Sequence, residues 1–369
     1  MTKLVVTLYC SSYERHISHI LAGLFSLSSD GVIDLYFRPA KIESEFFVDH
    51  TLWVDVAYCD TDNPTTLFFD MADWPSIASL EALDDCDFYI KRSYSHECIN
   101  RLPRVYSSKI KPFGLYFPCR SDVENRKFSF LFMRLLSKFH YRRRTRVTYT
   151  EIIKALMKHC LALSGLKRFY SEYPALSQFA SSRKSTNVVM YQVRIWDPVT
   201  TKSFNGRSVN EINQFRIELV RKLKAGLGPS FVGGVIDSAL SRKLCPGLIS
   251  PLSSDSKAYF DLVDRASIVV ADTGLHNSTG AKFAEYFAFG KCILSEPLVY
   301  SVARAPRSGV DFLEYRDADH CVALCQLLLN NSELRLSLME RSRDYYVNYG
   351  SPEKQLSQLF ASLGITLSN

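Results

Sequence analysis

The chain has 369 residues and a formal net charge of +7, with 47% hydrophobic and 13% aromatic residues. That length exceeds one ordinary core and predicts two α/β domains, while the apolar share excludes a chain with a long unstructured half. No apolar run reaches the roughly 18 to 20 residues of a membrane span, and the opening residues alternate like a strand rather than a leader, so a cytoplasmic protein without an anchor helix is expected.

Residues 3–10 read as a strand, 17–27 as a helix and 31–37 as a second strand, which makes one βαβ unit. Strands are expected at 52–58, 66–70 and 87–91, with a helix at 75–83, and this alternation predicts a mostly parallel sheet. Residues 128–140 form an aromatic, helical stretch followed by Arg142, Arg143, Arg144 and Arg146, and a further helix runs from a Thr148 cap to about residue 163. Between Arg126 and Lys184 stand fourteen Lys or Arg against only Glu151 and Glu172. A field so concentrated fits a polyanionic partner such as an anionic membrane surface or a lipid diphosphate, or simply a solvated basic face. The polar stretch 181–187 reads as an interdomain linker.

A second α/β series follows. Strands are expected at 188–193, 231–236, 267–271 and 292–295, and helices at 210–224 (capped by Ser208), 259–264, 279–289, 317–329, 332–347 and 352–363. The ten cysteines are scattered with no paired spacing and read as reduced core thiols. Asp60 and Asp62 form an Asp-x-Asp after a strand, but they run into Asn63-Pro64 and read as a turn. Neither a metal nor another cofactor is expected.

The most informative stretch is VVADTGLHNSTGAKFAEYFAFGKCILSEP, from Val269 to Pro297. A buried strand delivers a loop of small and hydroxyl residues, Thr273, Gly274, Ser278, Thr279 and Gly280, which opens directly into a helix. Helix N-termini present unpaired amides and partial positive charge, so this junction suits a diphosphate. Lys282 can neutralise phosphate, and Glu285 can accept hydrogen bonds from both ribose hydroxyls. Arg194, at the end of a strand, can reach a phosphate bidentately or pair with Asp197. Arg216 is a weaker candidate of the same kind.

The small-residue loop, the helix carrying Glu-x-x-Ala-x-Gly, the next strand and Glu-Pro resemble the nucleotide-sugar site of GT-B glycosyltransferases. The wider string from Arg194-Ile-Trp-Asp-Pro198 to Ser295-Glu-Pro297 looks like a bacterial group of surface-polysaccharide (O-antigen and capsule) glycosyltransferases. The resemblance implies two Rossmann-like lobes about a cleft, with residues 1–183 binding the acceptor and 186–350 the nucleotide sugar. It also implies that the last helix, within 352–369, returns to the first lobe. By the same resemblance Glu285 holds the donor ribose and the Gly280 helix start holds the diphosphate, with a UDP-sugar as expected donor and a glycan or lipid-linked glycan as acceptor. Many retaining members carry a second Glu eight residues earlier. Asn277 stands there instead, which leaves the stereochemical outcome open and turns attention to His276 or Asn277 for sugar contact.

In the first half, a base for the acceptor hydroxyl is sought among Asp70 and Asp73, or Glu14 and His16, all just after strands. Lys91, Arg92 and Tyr94 are the candidates for binding an acidic acceptor. Two other classes compete: a nucleic-acid binder using the basic segment, against which stands the lack of any recognisable module, and another nucleotide-using enzyme such as a sugar epimerase, against which stands the missing G-x-G-x-x-G after the first strand.

Overall fold

A computed structural model of the protein describes residues 3–10, 15–39, 50–59, 63–123, 173–179, 186–252 and 256–367. The chain divides into two compact units, Met1–Gln178 with Ser351–Asn369, and Phe179–Gly350. The aromatic stretch 128–140 with its trailing arginines, the helix expected at 148–163, Glu14, Asp60 and Asp62 lie outside the described residues.

The first unit is built on strands β1 Leu4–Cys10, β2 Ile33–Pro39, β3 Thr51–Tyr58, β4 Thr65–Asp70, β5 Phe88–Lys91 and β6 Ile110–Pro112, in the spatial order β2-β1-β3-β4-β5-β6. The helix α1, Ser18–Ser29, returns the chain to a parallel β2, as a βαβ unit requires. Thereafter the sheet departs from the mostly parallel expectation, because β3 runs antiparallel to both β1 and β4. The physical reason on its β4 side is length: only six residues separate Tyr58 from Thr65, too few for a crossover, so the two strands close as a hairpin.

The helix expected at 75–83 is shorter, beginning only at α2, Leu80–Asp85, under a Ser79 cap. The amide of Ala78 instead donates to Asp70 Oδ2 and to Tyr89 Oη, which holds this segment over a buried carboxylate. Two short helices, α3 His96–Asn100 and α4 Arg104–Ser107, follow β5. The C-terminal helix, Pro352–Ser362, packs against α1 within this unit, burying Leu356 and Phe360 completely. Gly23 of α1 permits the approach: a Cβ there would lie 2.6 Å from the Pro352 carbonyl oxygen and 2.7 Å from Leu356 Cδ1.

The second unit is a parallel sheet of β7 Val189–Val193, β8 Phe231–Val235, β9 Ile268–Ala271, β10 Cys292–Ser295 and β11 Leu313–Glu314, in the order β11-β10-β9-β7-β8. Its central strands are buried along their whole length, so they read as apolar runs rather than alternations. Around them lie α5 Val209–Leu227, α6 Ala239–Leu244, α7 Ser256–Arg265, α8 Ala281–Ala288, α9 Ala318–Asn330 and α10 Ser332–Tyr345. Helix α5 opens with the expected Ser208 cap, completed by Glu211 into a reciprocal capping box.

Candidate functional site

In the second unit, β8 lies on one side of β7 while β9, β10 and β11 lie on the other. The strand order therefore reverses between β7 and β9, and ligands of open α/β sheets bind outside the carboxyl ends of the strands at such a point. The pairing of β7 with β9 covers only Val189–Met190 against Ile268–Val269, so the two strands part beyond it. The Lys282 ammonium enters this gap and donates to the backbone carbonyl of Gln192.

The loop after β9 is tightly closed. The Gly274 amide donates to Ser278 O at 2.8 Å, and Ser278 N donates to Leu275 O at 3.0 Å. A Cβ on Gly274 would stand 2.8 Å from Ser278 Oγ, so the serine hydroxyl would have to turn away to admit one. His276 and Asn277 both adopt φ 59°, a left-handed conformation that non-glycine residues accept only when their surroundings hold them. The surroundings are explicit: Phe204 N–H donates to His276 Nδ1 at 3.0 Å, the two rings stack at 5.5 Å, and Tyr300 Oη donates to His276 O. Because Nδ1 accepts, the neutral ring carries its proton on Nε2.

Helix α8 then starts at Gly280, which has no side chain of its own to cap it. The Phe283 amide turns back to the Gly280 carbonyl at 3.0 Å, while the amides of Ala281 and Lys282 come before any i−4 carbonyl of the helix, and the helix dipole adds partial positive charge. One turn in, Lys282 lies with its ammonium 5.2 Å from the centre of the Tyr259 ring. Burial lowers its pKa to about 8, against the opposing pull of Glu285 and Asp272, so it remains a cation at neutral pH. Glu285 is buried, with Oε2 accepting from Tyr259 Oη at 3.0 Å. Lys282 and Glu285 thus share one neighbourhood, as the sequence pattern requires.

Thr273 has a structural role instead of an open one. Its amide and hydroxyl both donate to Glu296 Oε2, at 2.8 and 2.9 Å, and Arg207 bridges the same two residues. Arg216 is likewise committed, pairing with Asp272, donating to the carbonyls of Arg194 and Thr273, and lying 4.1 Å over the Trp196 ring. Arg194 itself is exposed at the head of the loop after β7, within electrostatic range of Lys282. Asp197 accepts from the Val199 amide, and no ion pair joins it to Arg194 among the described residues.

In the first unit the carboxyl ends of β1, β4 and β5 share one edge. The antiparallel β3 brings its amino end to the same place. There His16, His50, Asp73 and Arg92 assemble. The His16 and His50 rings meet edge-on at 3.9 Å, His16 Nε2 lies 3.9 Å from Asp73 Oδ2, and Arg92 pairs with Asp73 at 2.5 Å while covering the Tyr116 ring at 4.5 Å. Burial first, and then His50 and Arg92, push His16 down to about 4, so the imidazole is neutral at pH 7.

Asp70 and Lys91 are corrections to the sequence reading. Neither is exposed at all; they pair at 2.8 Å, and Asp70 also accepts from Tyr89 Oη at 2.7 Å and from the amides of Ala72 and Ala78, both at 3.1 Å. A carboxylate so enclosed has neither a free lone pair for a substrate proton nor a path to one, and the ammonium it holds cannot reach an acceptor. Tyr94 stands apart, stacked edge-on with His96 at 5.1 Å. Sequence reasoning missed His50, Tyr116, Arg207, Tyr259 and Glu296. Only Glu296 carried a legible signal, its place just beyond a strand end.

Among the described residues no cluster of His, Cys, Asp and Glu could hold a metal, and no helix is long and apolar enough to cross a membrane. No family model matches the chain, and no curated protein does. Several solved structures resemble it at low identity. A glycosyltransferase from Rickettsia africae is 12% identical, with 80% of this chain and 69% of that one covered at a TM-score of 0.42. The UDP co-structure of Staphylococcus aureus MnaA is 12% identical over 99% and 98% of the two chains at 0.40. HepE from Anabaena, in complex with UDP-glucose, is 10% identical over 81% and 98% at 0.38.

Proposed function

We propose that this protein is a glycosyltransferase of the two-lobed GT-B kind, taking a sugar from a nucleoside-diphosphate donor and passing it to a glycan or lipid-linked glycan acceptor in surface-polysaccharide synthesis. One observation carries the reading: at the switch point of the second sheet, a helix start at Gly280, a half-buried Lys282 and a buried Glu285 converge within the first turns of α8. A diphosphate matches the amides and the ammonium, and a ribose diol matches the carboxylate.

In this reading the departing diphosphate gains its stabilisation from charges that are already in place, the α8 amides, Lys282 and Arg194, with no metal invoked. His276, with Nε2–H fixed as a donor, serves the sugar beside Asn277. The first unit supplies the acceptor side. His16, neutral at pH 7, takes the proton from the attacking hydroxyl, and Asp73 favours the imidazolium that forms. The donor is a UDP-sugar, the enzyme works in the cytoplasm, at the membrane face where its acceptor is lipid-linked, and nucleic acid is not a partner.

Thermal-shift titration with UDP, GDP, CMP and ADP tests this directly. One diphosphate raises the melting temperature of the wild-type protein, and Glu285→Ala abolishes the rise. If no nucleotide stabilises the protein, or if Glu285→Ala binds as well as the parent, the assignment is wrong. Chelation by EDTA leaves turnover unchanged.

A further inference from the structure

The hydrogen bond from Tyr259 to Glu285 joins two helices that are far apart in sequence. Tyr259 lies in the first half of α7, and that helix is held at its middle and at its carboxyl end. At its carboxyl end Lys291 Nζ donates to Asp264 O at 2.9 Å. Alongside, the Phe260 ring is 5.5 Å from Phe289, next to the end of α8, and Phe179 closes the set at 5.5 Å from Phe260. The Tyr259 hydroxyl is therefore delivered to Glu285 by a helix packed against the end of α8. It occupies one acceptor site of Oε2, and an ionised carboxylate has about four such sites, so the tyrosine fixes one lone pair without using the carboxylate's whole accepting capacity. The same ring lies against the Lys282 ammonium.

We infer that Tyr259 is a positioning residue for Glu285, orienting the carboxylate toward a cis-diol and making the site selective for ribonucleoside over 2′-deoxyribonucleoside diphosphates. This rests on the proposed role of Glu285. Burial and the Glu285 charge both raise the tyrosine's pKa well above its usual value, so its hydroxyl stays protonated and donating throughout the physiological range.

The test uses the full chain with whichever of UDP, GDP, ADP and CDP binds best, together with its 2′-deoxy counterpart, in calorimetric titrations. The wild-type protein prefers the ribonucleotide by about tenfold or more, the scale of a hydrogen bond to a charged group. Tyr259→Phe keeps the ring over Lys282 and removes only the hydroxyl. It weakens the ribonucleotide about three- to tenfold, leaves the deoxy compound unchanged and raises KM with little effect on kcat. Glu285→Ala erases the preference altogether. If Glu285→Ala retains the preference, the ribose assignment fails first. If it erases the preference while Tyr259→Phe keeps it in full, or binds the ribonucleotide more tightly, then Tyr259 does not position the carboxylate.

Discussion

Asp70 and Asp73 stand three residues apart, and the difference between them shows how little separates a structural carboxylate from an available one. Asp70 ends β4 pointing inward, where an unpaired charge is intolerable, and it is held by Lys91, Tyr89 and two amides. Asp70→Asn strands the Lys91 ammonium in the core, already disfavoured there by burial. We expect a loss of about 3–5 kcal/mol in urea unfolding, against about 1 kcal/mol or less for Asp73→Asn, whose carboxylate is 33% exposed. A smaller Asp70 effect would mean that the lysine escapes to solvent. For His16, the pKa near 4 predicts a flat kcat/KM above about pH 6, falling only as the ring protonates toward pH 4. His16→Gln removes that limb and lowers kcat by roughly 10²–10⁴-fold, the usual worth of a general base.

At the scale of elements, the course of the chain around the loop after β9 was legible in the sequence because its parts are contiguous. Strand, small-residue turn, helix start and Glu285 follow within twenty residues, and each announces itself by composition. The first-unit cluster was only half legible. His16, Asp73 and Arg92 each follow a strand and were found separately. His50 precedes β3, and it reaches the same edge only because β3 runs antiparallel, a direction fixed on its β4 side by the brevity of the chain between Tyr58 and Thr65. Inward or outward orientation at a strand end was also beyond sequence reading, hence the error on Asp70 and Lys91. Glu296 belongs to this scale as well, since it ties the turn after β9 to Arg207 of the loop after β7. Glu296→Ala frees the Thr273 amide and hydroxyl together. Nucleotide affinity, read by calorimetry, should fall about tenfold or more, while the far-ultraviolet circular dichroism is unchanged.

Two histidines of the first unit give the molecule an acid-side pH dependence. His19 is fully buried among Phe113, Tyr116 and Phe117, and burial lowers its pKa to about 3; His16 is lowered to about 4. The unfolded chain binds protons at these rings near pH 6.5, and the folded chain does not. Their contribution is therefore complete above pH 6.5 and is lost as pH falls toward the folded values, at about 1.4 kcal/mol per pH unit for each ring. Urea unfolding of this unit should show roughly 4 kcal/mol less stability at pH 5 than at pH 7. His19→Gln should flatten that slope by about half. Equal slopes in parent and variant would exclude His19 as the cause.

The first unit is also discontinuous: its sheet comes from the start of the chain, but the helix that seals α1 comes from residues 352–362. During synthesis that helix leaves the ribosome only after the whole second unit has emerged. A nascent chain stalled before Ser351 therefore exposes the groove beside Gly23 that Leu356 and Phe360 are shaped to fill. The unit whose sheet emerges earlier is completed later, and a chain broken between the second unit and Pro352 leaves the first core open beside an intact second unit.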